Sequence, residues 1–340
     1  MSSAIDELYP RMPFSDAALP VIQDRLTDVA DNEEGTRAGS ENEPLHDMRV
    51  ASRRLRAALE AFRDCFPRSE YRPVGKMAKK LTRGLGAVRD LDVLLAETRR
   101  LAAKATPEEY AGIELLIAHL EGERAKARPV MLKVLDELRE HGFRHRVLSL
   151  ARNPRGQGGT LQAHGRRQAI ARLADLYGYA PTVHDEARDK ELHRMRIEAK
   201  HLRYCLEIFR VCFGSEVEQR ISDIKTIQDK IGQIHDCDVL VELARSQGIA
   251  LAGRQFDELT ALAGAPMNAE ARRTTLRAAL IPPEGADPRL GILVLLGKKL
   301  EERHTRYTGF TQWWDEQDDA GLRGKLYACL NGEDEPEESE

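Results

Sequence analysis

An eleven-residue pattern occurs twice in this chain, and its spacing commits both copies to an α-helix. The first copy is His46-Asp47-Met48-Arg49-Val50-Ala51-Ser52-Arg53-Arg54-Leu55-Arg56. The second is His193-Arg194-Met195-Arg196-Ile197-Glu198-Ala199-Lys200-His201-Leu202-Arg203. At about 100° per residue the positions +3, +7 and +10 from the leading histidine fall within roughly a quarter of the helix circumference. His46, Arg49, Arg53 and Arg56 therefore share one face, as do His193, Arg196, Lys200 and Arg203. Met48, Leu55, Leu59 and Phe62, like Met195, Leu202, Leu206 and Phe209, form a separate apolar face that must be buried. Like charges one turn apart repel, so a basic stripe written twice calls for a reason beyond stability, and a bound polyanion supplies one.

The remaining pattern is helical as well. Helices are expected at Leu45–Phe66, ended by Pro67, at Val74–Ala102, at Pro107–Leu138 with a break or kink at Pro129, and at Arg144–Leu150. Asn153–Gly159 reads as a linker at the seam of an internal duplication. Beyond it come Leu161–Leu176, the second repeat helix, and helices at Gly253–Ala263, Ala269–Leu280 and Leu290–Arg306. Period-2 alternation is missing throughout, and an aromatic content of 5% is low for a β protein. The expected fold is all-α: two pseudo-symmetric helical bundles from an internal duplication, over residues 14–151 and 160–328. Residues 1–13 read as a loose arm, and residues 332–340, six of them acidic, as a disordered tail.

The net charge of −4 conceals segregation, because the tail is acidic whereas bases gather in the repeat helices and in Lys76–Arg89. Lys76, Lys79, Lys80 and Arg83 make a second basic face, with Lys225 as the later counterpart of Lys79. Gly86 and Gly232 occupy equal places inside helices, which is explained by close helix-to-helix approach. Asp90, Asp92, Asp236 and Asp238 follow them; these acids either ligate a metal or orient neighbouring arginines, and the second reading is preferred. Five cysteines without framework spacing fit a reducing compartment, with Cys65 and Cys212 as small buried hydrophobes. No stretch reaches the ~20 apolar residues of a membrane span, and the N-terminus lacks a secretory layout, so a cytoplasmic location and no membrane partner are expected.

The motif His-x-x-Arg-x-x-x-Arg-Arg-Leu-Arg, followed by Gly86-Ala87-Val88-Arg89-Asp90-Leu91-Asp92-Val93-Leu94 and repeated once, resembles the CHAD family, the conserved histidine α-helical domain. The resemblance spans Asp16 to Tyr327 and looks like that of a stand-alone member. It implies two helical bundles around a basic groove or pore that binds inorganic polyphosphate without catalysis, in some members on polyphosphate or polyhydroxyalkanoate granules. Position by position it falls on His46, Arg49, Arg53, Arg54, Arg56, Lys79 and Arg89, and on His193, Arg196, Lys200, Arg203, Lys225 and His235. His201 stands where the first copy has Arg54, and His235 where it has Arg89, so the second half carries less fixed charge. With Lys76, Lys80, Arg83 and His201 added from the basic faces, these residues form the expected polyphosphate site, with no cofactor, no metal and no catalytic residue.

Two other functions compete. A metal phosphohydrolase of the HD class would use His193, His235-Asp236 and Asp238 as ligands, but Arg89-Asp90 stands in the equivalent place and the stripe repels cations. A nucleic-acid binder would use the same basic helices, but aromatic side chains for base stacking do not interleave with them.

Overall fold

A computed structural model describes residues 7–280 and 287–332. Within them the chain is all-α, with twelve α-helices, three short 3-10 turns and no β-strand. The helices are α1 Ala18–Asp31, α2 Glu33–Ala38, α3 Glu43–Ala61, α4 Arg68–Ala102, α5 Pro107–Glu140 and α6 Phe143–Arg152. They continue as α7 Leu161–Tyr177, α8 Asp189–Ile208, α9 Val217–Gly264, α10 Ala269–Leu280, α11 Pro288–Asp319 and α12 Leu322–Asn331.

The two motif copies fold alike. Each forms a helix (α3, α8), a 3-10 turn (Arg63–Cys65, Arg210–Cys212) and a long following helix (α4, α9). Phe62 and Phe209 sit where the first helix stops, and Phe66 and Phe213 turn extended at the end of the 3-10 turn. The apolar face of each copy is buried as its periodicity requires: Met48, Leu55 and Leu59 on α3, and Met195, Leu202 and Leu206 on α8, are each no more than 1% exposed. Pro73 and Pro129 are accommodated inside α4 and α5 without ending them. The expected separate helix at Gly253–Ala263 is the last part of the 48-residue α9.

Contacts divide the chain into two compact units that each draw on both halves of the sequence. Among the described residues the larger comprises 7–89, 127–232 and 307–332, and the smaller 90–126, 233–280 and 287–306. These boundaries fall inside α4, α5, α9 and α11, so the division runs across the expected bundles 14–151 and 160–328 rather than between them.

In the larger unit α3 packs on α1 and α8, and α7 packs on α8. Its core is aromatic at the seam: the Phe62 and Phe209 rings lie 6.0 Å apart, and Phe14 stacks on Phe62 at 4.9 Å. Phe14 also lies flat on the His164 ring at 4.0 Å. The preceding segment is pinned: Leu161 N–H donates to the Met12 carbonyl and Gln162 N–H to that of Pro10. Residues 8–13 are thus not the loose arm that their composition suggested, because a fully buried phenylalanine anchors them. Residues 1–6 and 333–340, which hold the rest of the arm and nearly all of the acidic tail, lie outside the described residues.

In the smaller unit Leu116, Ala244, Ile292 and Leu295 form the core. Here α5 and α11 cross closely at Gly112 and Gly291; a Cβ on Gly291 would lie 2.1 Å from the Glu109 carbonyl oxygen. No helix among the described residues is long and apolar enough to cross a membrane.

Candidate functional site

Within the larger unit α3, α4, α7 and α8 enclose an open cavity of about 740 Å³. The motif helices supply Arg53 and Arg56 from the first half and Lys200 and His201 from the second; α4 adds Arg72, Lys76 and Lys79, and α7 adds Arg172. Glu60 is the one carboxylate among the described lining residues. It already accepts a hydrogen bond from Tyr71 Oη at 2.8 Å and pairs with Arg63 at 3.0 Å. Among the described residues Arg53, Arg56, Arg72, Lys76, Lys79 and Lys200 form no ion pair with a carboxylate.

Lys200 is the centre of this field. It is half-buried on α8. Burial first, then the positive charges of Arg196, Arg53, Arg49 and Arg203, push its ammonium down to about 7. Arg49 and Arg53 belong to the first stripe and Arg196 and Arg203 to the second. The stripes of the two repeats therefore act on one another inside a single unit, because α3 packs directly on α8. Gly232 assists from α9: its missing side chain leaves room for the Arg196 guanidinium, with a Cβ there falling 3.1 Å from Arg196 Nε. At Gly232 the close approach expected of the glycine is that of an arginine side chain from α8.

Other expected site residues are held by the protein itself. Arg54 Nε pairs with Glu207 Oε2 of α8 at 3.2 Å, and Arg203 stands 3.8 Å from the same carboxylate. Lys80 pairs with Glu137, and His201 Nδ1 lies 3.0 Å from Glu198. Arg89 donates from Nε to His46 Nδ1 at 3.1 Å. Partial desolvation, then the Arg89 charge, hold the His46 imidazole below its ordinary value. Arg83 and Lys225 are exposed on α4 and α9, and neither they nor His46, His193 or His235 line the cavity. His235 belongs to the smaller unit.

Of the four acids after the glycines, Asp92 and Asp238 each orient an arginine. Asp92, 4% exposed, accepts from Arg124 Nε, and its repeat counterpart Asp238 accepts from Arg303 Nε at 2.5 Å. Lys299, 2% exposed, is enclosed by Glu97 at 2.9 Å and Glu302 at 2.6 Å. No group of three or more His, Cys, Asp or Glu suited to a metal ion occurs among the described residues. The five cysteines are free and buried, and burial pushes the Cys65 thiol up to about 11 and that of Cys212 up to about 12. Trp314 plugs the core against Tyr177 and Phe310, while Trp313 carries the Lys230 ammonium at 5.3 Å from its ring centre.

The sequence reading missed Arg72 and Arg172. Arg72 was detectable, since it lies one turn before Lys76 on the same face of α4. Arg172 carries no such signal; it reaches the cavity only because α7 packs on α8.

The fold has solved counterparts. A crystal structure of the CHAD domain from the plant Ricinus communis aligns with a TM-score of 0.60 and 24% identity, covering 86% of this chain and 96% of that one. PptA from Streptomyces chartreusis aligns with a TM-score of 0.57 and 16% identity, covering 89% and 99%. Comparison with curated proteins gives no match. The CHAD domain family model matches residues 20–245, a span that takes in both motif copies, both glycines and every residue of the basic cavity, and on that match the chain belongs to the CHAD domain family.

Proposed function

We propose that this chain binds inorganic polyphosphate in the basic cavity of its larger unit and does not catalyse its turnover. The observation that carries the reading is Lys200, whose charged form is opposed by arginines from both repeats. Holding these groups together costs free energy that a chain of phosphoryl anions offsets, since guanidinium forks match phosphate oxygens two at a time. Lys76 and Lys79 line the same cavity and extend the contact beyond one phosphoryl unit. A linear polymer should therefore bind much more tightly than orthophosphate. Binding should weaken steeply with salt, because each neutralised phosphate releases a condensed counterion.

Calorimetric titration with chains of many units and with orthophosphate tests this directly. Equal affinity for the two would refute it. Recovery of the polymer at its starting length after incubation is expected, and shortening would refute the non-catalytic part. Location on cytoplasmic granules belongs to the same proposal; co-sedimentation of the protein with isolated polyphosphate and polyhydroxyalkanoate granules is the corresponding measurement. Competition by single-stranded or duplex nucleic acid at fixed salt should be weaker than by polyphosphate.

A further inference from the structure

We propose that Lys200 is a covalent acylation site, at which an acyl phosphate docks its phosphate on the cavity arginines and transfers its acyl group to Nζ. Three features of the site converge on this. Lys200 lines the open cavity, so its amine is reachable by a small molecule. Among the described residues it has no carboxylate and no hydrogen-bond acceptor to hold it as an ammonium. It is set beside phosphate-matching groups on a neighbouring helix, Arg53 and Arg56 of α3, with Arg172 of α7 on a third wall. A site of this kind gathers the reactant and presents the nucleophile in one place.

The reaction is balanced without any further reagent. The lone pair of neutral Nζ attacks the carbonyl carbon of the acyl phosphate. The bond from that carbon to the bridging oxygen breaks, inorganic phosphate leaves, and the amine proton passes to water or to the departing phosphate. The product is a neutral amide, and the charge at the middle of the cavity is gone.

The charged and titratable groups that face Lys200 favour the neutral amine from each packed element. Arg49 and Arg53 act from α3, and Arg196 and Arg203 from its own helix. From α4, Lys76 and Lys79 add to the same sign. Of the nearby acids, Glu60 is engaged by Tyr71 and Arg63, and Glu198 by His201 and, at 3.9 Å, Arg172. Near pH 7 this amine is thus half-deprotonated, whereas an ordinary exposed lysine is only about one part in 2,500 neutral. The less basic amine is a weaker nucleophile, which takes back part of that advantage.

The inference shares its phosphate-binding cavity with the proposed function but stands or falls separately. The test is incubation of the full chain with acetyl phosphate, with acetic anhydride as an uncharged donor, and site-resolved mass spectrometry. Lys76 and Lys79 serve as internal references on the same cavity. With acetyl phosphate, Lys200 is expected to react at least about tenfold faster than either reference, with a pH midpoint near 7. Its preference over the references should be smaller with acetic anhydride and should fall in Arg53→Gln. Equal rates at the three lysines, or the same preference with both donors, would overturn the inference. Selective acylation of Lys200 in a protein that shows no affinity for polyphosphate would support this inference while refuting the proposed function. Tight polyphosphate binding without selective acylation would do the reverse.

Discussion

The Arg196 guanidinium occupies the space that a side chain at position 232 would need: a Cβ on Gly232 would lie 3.1 Å from Arg196 Nε and 3.3 Å from Nη2. The distances are tighter than ordinary packing, so Gly232→Ala must move the arginine by a few tenths of an ångström. Alanine recovers about 1 kcal/mol of helix propensity at the same time. The expected result is a melting temperature within a few degrees of the parent, together with a polyphosphate affinity lowered roughly two- to fivefold. Thermal unfolding and titration on the same sample separate the two effects.

Lys200 gives a pH dependence of known sign. Its folded-state value, about 7, lies below the ordinary 10.5, so above pH 7 the unfolded chain binds more protons at this site than the folded one. Stability should therefore rise with pH from about 7 towards 10.5 through this group. In Lys200→Met that contribution disappears, and the variant should be more stable than the parent at pH 6, where the parent must keep a buried ammonium among arginines. Polyphosphate affinity should move oppositely, falling as pH passes through 7 in the parent and changing less in the variant. Denaturant unfolding and titration at pH 6, 7 and 8 provide the check.

Glu207 restrains the site as well as stabilising the fold. It is 10% exposed and joins Arg54 of α3 to Arg203 of α8. Glu207→Gln should destabilise by about 1–3 kcal/mol, because two partly buried guanidinium groups lose their counter-charge. The same change should strengthen polyphosphate binding at low salt. Arg54→Gln should cost stability but leave binding nearly unchanged. Urea unfolding of both variants, paired with titrations, tests the distinction between a structural and a ligand-facing arginine.

Phe14 holds the N-terminal segment to the seam between the repeats. It is 1% exposed and touches Phe62, Phe209 and His164. Phe14→Ala should cost about 3–5 kcal/mol. Faster amide exchange should follow at Leu161 and Gln162, whose N–H groups donate to the segment that Phe14 anchors.

Most of the helical architecture, and most of the basic residues that line the cavity, could be read from the residues. The 3.6-residue period fixes which side of α3 and α8 is buried, and the same period places Arg53, Arg56 and Lys200 on the opposite side. The repeat of the leading histidine, the glycine and the paired acids then matches the two copies to one another. What periodicity cannot supply is the partner of each charge. Arg54 and Arg53 are adjacent in the same motif, yet one meets Glu207 and the other faces the cavity, and only the packing of α3 on α8 decides which. Lys80 is likewise neutralised by Glu137, fifty-seven residues away on α5. Pro129 does not end α5, which runs from Pro107 to Glu140. The docked segment before Phe14 could not be read because its partners, Gly159 to Gln162, are far along the chain.

In the proposed function, cations of both repeats act together on one polyphosphate chain. The most direct measurement is the salt dependence of long-chain polyphosphate binding to the parent and to the triple variant Arg53→Gln, Arg56→Gln, Lys200→Met, with folding of both verified by circular dichroism. The triple variant is expected to lose most of its affinity, and its slope of log affinity against log salt to become shallower by about two, in line with roughly 0.7 counterions released per phosphate contact. Equal affinity and equal slope for parent and variant would contradict the proposal.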